Sequence, residues 1–307
     1  MKNINERDQS KGYIPLRLII RDNMIDIIIP VYNTPIIDLK RCLNSIIKQT
    51  YKDYKVYIID DGSNDITKTY LNNYVKNKNK FIVRHIKNKG VSNARNIGID
   101  ISNSKYITFV DADDTLESNF LQEAYELIER NNLDIIIGGY NEIKNNNIIR
   151  SRKSLPGLHI YEENKIDNFF EKLLTSKTNE NNKEIGDCPT GRIYTRLFKR
   201  DSIGNLRFDT NIHMSEDTLF MIDYIKKANR IGVVDALWYN YYINDYSISN
   251  ATQKEKMINN INGFIREIEK RMNNESKENI KKAYQSRIEK ANKYINKINF
   301  CYNNSRV

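Results

Sequence analysis

The first 140 residues alternate short apolar runs with segments in which apolar side chains recur every three or four positions. The apolar runs are rich in Ile, Val, Tyr and Phe, which favour buried strands. The wider spacing is typical of helices that bury one face. This alternation indicates βαβ units, so the sequence predicts an α/β fold with a mainly parallel sheet flanked by helices. The predicted strands are 24–30, 54–60, 81–86, 105–110 and 133–139, and helices are predicted at 65–75, 91–101 and 118–130.

One further helix is predicted between the first two strands. It should begin with Thr34 as its N-cap and Pro35 at the first helical position, where the missing N–H of proline costs no hydrogen bond. After residue 140 the pattern loosens, and the polar stretch 144–157 predicts a surface excursion. A helix near 162–175, a loop at 176–184, a helix opening at Ser215 and a strand over 233–243 follow.

The C-terminal segment combines helical spacing with positive charge. Residues 253–307 contain thirteen Lys or Arg and six Asp or Glu, and so carry most of the formal net charge of +10. The helix could bury its apolar face on its own domain or on another copy of the chain, or could lie on an anionic membrane surface. The apolar stripe consists of Ile280, Tyr284, Ile288, Ala291, Ile295 and Ile298.

The composition excludes several classes of protein. With 39% hydrophobic and 29% charged residues, and no apolar run near the roughly 18 to 20 residues of a membrane span, the chain is expected to be cytoplasmic, or peripheral at the inner face of the membrane. The start of the chain lacks a secretory apolar region. Cys42, Cys188 and Cys301 lie far apart without CxxC spacing, which argues against a disulfide framework or a zinc site.

Polar and acidic residues follow three of the predicted strands. They are the segments PVYN at 30–33, DDGS at 60–63 and DADD at 111–114. In open α/β sheets, ligands bind beyond the carboxyl ends of the strands. Carboxylates that gather there repel one another unless a divalent cation or a hydrogen-bonding ligand offsets the repulsion. Mg²⁺ or Mn²⁺ commonly takes one or two carboxylates plus substrate phosphates, so the segments predict a metal and nucleotide diphosphate site.

Six ordered segments of the chain resemble glycosyltransferase family 2. They are IIIPVYNT, SIIKQTY, IIDDGSND, NKGVSNARNIGI, YITFVDADD and MSEDTLF, and the resemblance covers roughly residues 24 to 249. It implies the GT-A fold, a Rossmann-like mainly parallel sheet flanked by helices, here with a C-terminal helical extension. It also implies an inverting, metal-dependent glycosyltransferase that moves a sugar from a nucleotide-sugar, a UDP-sugar, to a hydroxyl of a glycan or lipid-linked glycan in surface polysaccharide biosynthesis.

The resemblance implies roles for individual residues. Asp61 would accept the uracil imide hydrogen, Asp111 would contact the ribose, and Arg95 would lie beside the base and diphosphate. Asp113 would bind the Mn²⁺ or Mg²⁺ that bridges the phosphates. Asp217 would be the general base that deprotonates the acceptor hydroxyl, with no covalent intermediate. The full nucleotide-binding set would be Pro30, Val31, Tyr32, Asn33, Asp61, Arg95 and Asp111.

Three further site residues have structural alternatives. His213 could be an additional metal ligand, although a single histidine is also common in purely structural roles. Trp238 could stack on a sugar ring, or it could belong to the core. Glu216 could contact the acceptor or sugar, or could, with Asp217, place negative charge in the first turn of its helix.

The chain departs from the family pattern in two places. It has no QxxRW motif of the processive relatives, so it is expected to transfer one sugar per encounter. The tyrosine-rich run 239–247 lacks the arginine that many relatives carry there. Two other functions compete with the glycosyltransferase. They are a nucleotidyltransferase, which would share the carboxylates and Mg²⁺, and a non-enzymatic basic binding module for nucleic acid, which the clustering of charge in the tail disfavours.

Together the patterns predict three parts of the chain. Residues 1–23 form an N-terminal extension, and residues 24–250 form the catalytic domain. Within that domain, 24–140 would be the nucleotide-binding half and 141–250 the acceptor half. Residues 251–307 form the basic amphipathic helical tail.

Overall fold

The computed structural model describes residues 21–175, 191–243 and 254–304. The N-terminal extension up to residue 20, the predicted loop at 176–184, Cys188 and the end of the tyrosine-rich run at 244–247 lie outside these residues. The strands are β1 (Arg21–Val31), β2 (Tyr54–Asp60), β3 (Phe81–His85), β4 (Ser104–Phe109), β5 (Thr115–Leu116), β6 (Ile135–Lys144), β7 (Asn147–Arg152), β8 (Leu158–Glu162), β9 (Arg196–Lys199) and β10 (Arg230–Tyr242). The helices are α1 (Ile36–Ile47), α2 (Asp65–Val75), α3 (Val91–Ile101), α4 (Phe120–Arg130), α5 (Asn164–Thr175), α6 (Arg200–Ile203), α7 (Glu216–Ile225), α8 (Lys254–Asn273) and α9 (Glu278–Asn304).

The described strands form one mixed sheet in the order β3-β2-β1-β4-β9-β6-β10-β5, with β7 paired to β6 and β8 paired to β10. The first four strands pair in parallel, as predicted. The predicted α/β class, a central sheet flanked by helices, is confirmed. In the other half of the sheet β9, β5, β7 and β8 pair antiparallel and β6 and β10 are parallel to each other, so the described sheet as a whole is mixed. Short or exposed strands such as β7 lack the continuous apolar runs that identify buried strands, and the sequence pattern therefore missed them.

The polar stretch 144–157, predicted to be a surface excursion, contains the turn and the exposed second strand of a β-hairpin. Strands β6 and β7 are joined at Asn145 and Asn146, which have φ angles of 51° and 61°. Asn tolerates this left-handed conformation, which the twist of a two-residue hairpin turn requires.

Most predicted helices of the first half have the expected bounds, but the start of α1 differs. Pro35 has φ −52° and ψ 134°, so it is the N-cap residue and Thr34 lies outside the helix. No side chain caps this helix end. Helices α2 and α3 occupy the predicted residues. In both, the N-cap residue, Asn64 or Gly90, directly precedes the first residue of the apolar helical pattern.

Both faces of the sheet are buried, which is why residues 27–31 of β1 are all apolar. Ile27 and Ile29 pack into the core beneath α1 and α4, whereas Ile28 points into the core on the other face. Helix α3 lies so close to β1 that a Cβ at Gly98 would come within 2.4 Å of Ile28 Cγ2. Glycine at 98 therefore sets the distance between this helix and the strand that ends at the candidate site.

The basic tail is folded onto the rest of the chain as two helices, α8 and α9. Tyr284 of the predicted stripe is fully buried, and its ring lies 5.9 Å from that of Phe170 in α5. The tail residues Ile268, Ile280 and Ile288 share one core with α5 and α7. The apolar face that would have entered a membrane or met a second chain is thus used inside the molecule. No helix among the described residues is both long and apolar enough to cross a bilayer.

Candidate functional site

The loops that follow β1 and β2 are joined by hydrogen bonds at the carboxyl edge of the sheet. The backbone N–H of Asn33 donates to Ser63 Oγ at 2.9 Å, and the N–H of Asn64 donates to Asn33 Oδ1 at 2.8 Å. Asn33 has φ 50° and Gly62 has φ 75°, so both loops turn sharply where the strands end. A Cβ at Gly62 would lie 2.8 Å from the backbone nitrogen of Asn88, so only glycine fits this turn.

The predicted nucleobase residues lie on these loops. Asp61 is 3% exposed, and its two carboxylate oxygens accept the backbone N–H groups of Lys89 and Gly90, each at 2.8 Å. Asp61 therefore holds the start of α3 against the end of β2. Of the PVYN segment, Pro30 is half-buried and Val31 is buried, as β1 residues packed between neighbouring strands. Tyr32 is 55% exposed and leaves a ring face open to a ligand.

Arg95 lies at the centre of the acidic constellation. Its Nη2 donates to Asp111 Oδ1 at 3.0 Å and its Nη1 donates to Glu216 Oε1 at 2.9 Å. The guanidinium is almost fully buried, which by itself would lower the pKa of Arg95, but the charges of Asp111 and Glu216 outweigh burial and raise it. Arg95 thus stays charged and brings together residues that are far apart in the sequence.

The DADD segment divides into two kinds of carboxylate. Asp114 is buried, and it accepts hydrogen bonds from Tyr239 Oη at 2.7 Å and from the N–H of Tyr242 at 2.8 Å. Burial and the nearby negative charges of Asp113 and Asp111 raise the pKa of Asp114 well above its usual value. Asp111 and Asp113 are less buried. Asp114 therefore attaches the segment to β10, while the other two carboxylates remain at the surface of the site.

The backbone around Asp111 and Asp113 is also held from several sides. Tyr239 Oη accepts the N–H of Asp111 at 3.1 Å, and Arg41 of α1 donates to the carbonyl oxygen of Asp113 at 2.7 Å. Arg41 in turn lies 3.7 Å from the ring centre of Tyr242. Elements α1 and β10 thus fix the loop that carries both carboxylates.

The carboxylates of the DADD segment suit a hard divalent ion that is coordinated partly by the substrate. Within the described ranges, no group of three or more His, Cys, Asp or Glu side chains could hold a metal ion. Asp113, with Asp111 two residues before it, would offer carboxylate oxygens to Mg²⁺ or Mn²⁺ if phosphates completed the shell of the ion, and this chemistry fits such an ion. His213 is exposed before α7 and belongs to no such group, so the structure does not support it as a third protein ligand.

Helix α7 presents the two predicted acids at its first turn. Asp217 Oδ1 accepts the N–H of Thr218 at 2.7 Å. Burial and the negative charge of Glu216 raise the pKa of Asp217 to about 6, against the opposing effects of Arg192 and Arg95. A carboxyl group that titrates near neutral pH is suited to accept a proton and later release it. Glu216 is already paired with Arg95, so it orients that arginine instead of standing ready for a sugar.

Arg192 is a site residue that the sequence pattern did not reveal. Its guanidinium lies 5.9 Å from the ring centre of Tyr194 and 5.8 Å from that of Tyr241, and its charge acts on Asp217. It places a positive charge beside the tyrosine-rich strand that lacks the family's arginine. The chain has 49 Lys and Arg residues, and spacing alone does not distinguish this one.

Trp238 does not take part in the site, which corrects its assignment as a sugar-stacking residue. It is fully buried, and its Nε1 donates to Glu123 of α4 at 2.8 Å. Its ring packs 5.3 Å from that of Phe120 and covers Gly138. Strand β10 has a bulge here, since Leu237 pairs with Gly139 and Tyr239 with Tyr140, so the regular alternation of side chains is interrupted at Trp238. The rings of Trp238 and Tyr239 belong to the same core, and the Tyr239 hydroxyl reaches the acidic loop.

Comparison with known proteins places the sequence among glycosyltransferases. The model of the family described as glycosyl transferase family 2 matches residues 26–206. The poly(ribitol-phosphate) beta-N-acetylglucosaminyltransferase TarP of Staphylococcus aureus (strain N315) is 30% identical over 77% of this chain and 68% of its own length. The chain spans 65%, 33% and 39% of the lengths of three other curated relatives that it matches.

Solved structures of glycosyltransferases have the same fold. S. aureus TarS 1-349 in complex with UDP-GlcNAc superimposes with a TM-score of 0.63 at 21% identity, over 80% of this chain and 66% of that chain. The mannosyltransferase PcManGT from Pyrobaculum calidifontis, in complex with GDP-Man and Mn²⁺, gives a TM-score of 0.56 at 14% identity, over 88% of this chain and 70% of that chain. The fold is therefore GT-A, and since the family model covers more than half of its residues, the chain belongs to glycosyltransferase family 2.

Proposed function

We propose that this protein is an inverting, metal-dependent, non-processive glycosyltransferase that moves a sugar from a UDP-sugar to a hydroxyl of a cell-surface glycan. The observation that carries the proposal is the junction made by Arg95, which joins Asp111 at the end of β4 to Glu216 at the start of α7. It puts the predicted donor residues and the predicted base beside one another. Because the chain belongs to glycosyltransferase family 2, this function is favoured over a nucleotidyltransferase and over a basic binding module.

The donor half is supported by the loops after β1 and β2. The exposed ring of Tyr32 offers a face for stacking a nucleobase, and Asp61, fixed by two backbone N–H groups, keeps lone pairs for the base imide. Asp111 lies on the next strand end, in reach of a ribose bound at this edge. The complex of S. aureus TarS 1-349, a protein of the same fold, with UDP-GlcNAc supports uridine as the base.

A divalent ion would be held by Asp113 with Asp111, and when bound it would offset the negative charge that develops on the departing diphosphate. The complex of PcManGT with Mn²⁺ supports Mn²⁺ or Mg²⁺ as the ion. Arg95 is neutralised by its two carboxylates, so its main task is to position them. Arg192, beside Tyr194 and Tyr241, adds a second positive charge at this edge.

Asp217 is the general base of the proposed reaction. It takes the proton of the acceptor hydroxyl as the oxygen attacks the sugar C1, and the C1–O bond to the diphosphate breaks on the opposite face. One displacement with no covalent intermediate inverts the anomeric configuration. With a pKa of about 6, Asp217 is mostly ionised at pH 7 and can accept the proton without an additional base.

The acceptor class is supported by the relatives. TarP acts on poly(ribitol-phosphate), as does a poly(ribitol-phosphate) beta-glucosyltransferase of Bacillus spizizenii that is 28% identical over 71% of this chain. We therefore place the acceptor among the cell-surface polymers, with the reaction at the cytoplasmic side where nucleotide-sugars are made.

The proposal is tested with the full chain and a panel of nucleotide-sugars. We expect metal-dependent hydrolysis of one UDP-sugar in the absence of acceptor, abolished by EDTA and restored by Mn²⁺ or Mg²⁺. Asp113→Asn should weaken metal-dependent UDP binding, and Asp217→Asn should leave UDP binding intact while reducing turnover at least about a hundredfold. Wild-type turnover in Asp217→Asn, or hydrolysis unaffected by EDTA, would contradict the proposed mechanism.

A further inference from the structure

A small basic cavity lies beside the first turn of α7, between that turn and the two tail helices. Its volume is about 180 Å³, and it is formed by the start of α7 together with α8 and α9. Two of its lining residues, Met214 and Ser215, directly precede the acids Glu216 and Asp217. The lining residues are Met214, Ser215, Ile261, Phe264, Arg287, Lys290, Ala291 and Tyr294.

The charge of the cavity comes from two cations on α9. Arg287 and Lys290 are one helical turn apart, so both side chains reach the same opening. Burial lowers the pKa of both groups, and the charge of Arg287 lowers the pKa of Lys290 further. An anion bound between them would relieve this repulsion.

The apolar side of the cavity gives the arginine a fixed position. The Arg287 guanidinium carbon lies 5.5 Å from the ring centre of Phe264, which is buried in α8. Tyr294, 47% exposed, stands at the rim and offers a ring face to a polyol or sugar. The guanidinium group of arginine matches two oxygens of a phosphate or carboxylate in geometry and charge.

The size and position of the cavity distinguish it from the donor site. Pockets that enclose a whole small ligand have volumes of about 300 to 1,000 Å³, so this cavity takes one group of a longer molecule. The charge of Arg287 interacts with the carboxylate of Asp217, which places the cavity next to the proposed base. None of the residues that line it belongs to the loops after β1, β2 and β4, which carry the predicted donor residues.

We propose that this cavity is an acceptor subsite in which Arg287 and Lys290 bind an anionic group of the acceptor polymer, next to the hydroxyl that Asp217 deprotonates. The inference rests on the proposed function and adds to it a substrate class, a glycan or polyol chain that carries phosphodiester or carboxylate groups. It also gives the basic tail a function: the helices that bury their apolar face on α5 and α7 complete the wall of the active site.

The test measures binding of labelled oligomers to the full chain in the presence of UDP and Mn²⁺, by fluorescence anisotropy at low ionic strength. The probes are a glycerol-phosphate oligomer, a uronic acid oligomer and a neutral glucose oligomer. The double variant Arg287→Gln/Lys290→Gln is compared with Lys282→Gln/Lys293→Gln, which removes the same charge from exposed positions of α9 outside the cavity.

We expect the cavity variant to weaken binding of an anionic oligomer by about tenfold or more, and the control variant by less than about twofold. The neutral oligomer should not distinguish the two variants. Comparison of the two anionic probes identifies the group as phosphodiester or carboxylate. Equal weakening by both variants, or no weakening, would overturn the proposal, since the tail would then act only through its overall charge.

UDP affinity separates this inference from the proposed function. Both double variants should bind UDP as the wild type does, which also shows that they are folded. A loss of UDP affinity in the Arg287→Gln/Lys290→Gln variant would overturn the subsite and assign the cations to the donor. If the wild type neither binds UDP nor hydrolyses any UDP-sugar, the proposed function fails, whatever the oligomers show.

Discussion

Arg95 of α3 donates a hydrogen bond of 2.9 Å to Glu216 of α7, a residue 121 positions away in the sequence. The same guanidinium holds Asp111, so a single buried cation joins the parallel half of the sheet to the helix that carries the proposed base. The positive charge of Arg95 offsets the repulsion between the two carboxylates that it holds.

Replacing Arg95 with Gln should destabilise the fold as well as the site. It leaves Glu216 and Asp111 without their counter-ion in a partly buried setting, and we expect a loss of about 2 to 4 kcal/mol in the free energy of unfolding, measured by urea denaturation. Arg207→Gln is the matched control, because Arg207 pairs with Asp100 at the surface. That control should lose less than about 1 kcal/mol. Equal losses would mean that the Arg95 junction adds nothing beyond an exposed ion pair.

The pH dependence of turnover should report Asp217. The ionised carboxylate is the active form of the base, so kcat/KM should rise as the pH increases through about 6 and level off above it. Arg192 lowers the pKa of Asp217, so removal of its charge in Arg192→Gln should move the midpoint to higher pH. Arg207→Gln should leave the midpoint in place. A midpoint that does not respond to Arg192→Gln would assign the titration to another group.

Trp238→Ala should act on stability and not on sugar recognition. The side chain is fully buried against Phe120 and Gly138, and its removal leaves a large cavity that costs about 3 to 5 kcal/mol. Thermal unfolding and the KM for the donor are the measurements. A folded variant with an unchanged melting temperature and a raised KM would contradict this prediction and support the sugar-stacking role of Trp238.

Tyr32→Ala should have the opposite profile. Its ring is 55% exposed, so the free energy of unfolding should change by no more than about 0.5 kcal/mol. Loss of base stacking, about 1 to 3 kcal/mol, should weaken UDP binding by roughly 5- to 160-fold. Isothermal titration with UDP measures this, and Tyr32→Phe should bind normally because it keeps the ring. Equal weakening by both variants would point to the hydroxyl group instead.

The first half of the fold, up to about residue 140, followed closely from local patterns. Strand β2 and helices α2 and α3 occupy their predicted residues, because a buried parallel strand is continuously apolar and an amphipathic helix repeats every three to four residues. The acidic segments after β2 and β4 were visible for the same reason, since polar residues contrast with the apolar strands they follow. Short antiparallel strands such as β7 and β9 lack that contrast, and they were missed.

By itself, the sequence determined the strands and helices of the parallel half and which acids stand at its strand ends, because these depend on neighbours a few residues away. Tertiary structure alone decided that Arg95 would join Asp111 to Glu216, that Trp238 would face the core, and that Arg192 would lie near Asp217. It also decided that the basic tail would fold back to form a cavity beside α7. Each of these features depends on residues that are remote in the chain but close in space. Their burial and their electrostatic interactions arise from that proximity, and the spacing of residues along the sequence does not reveal it.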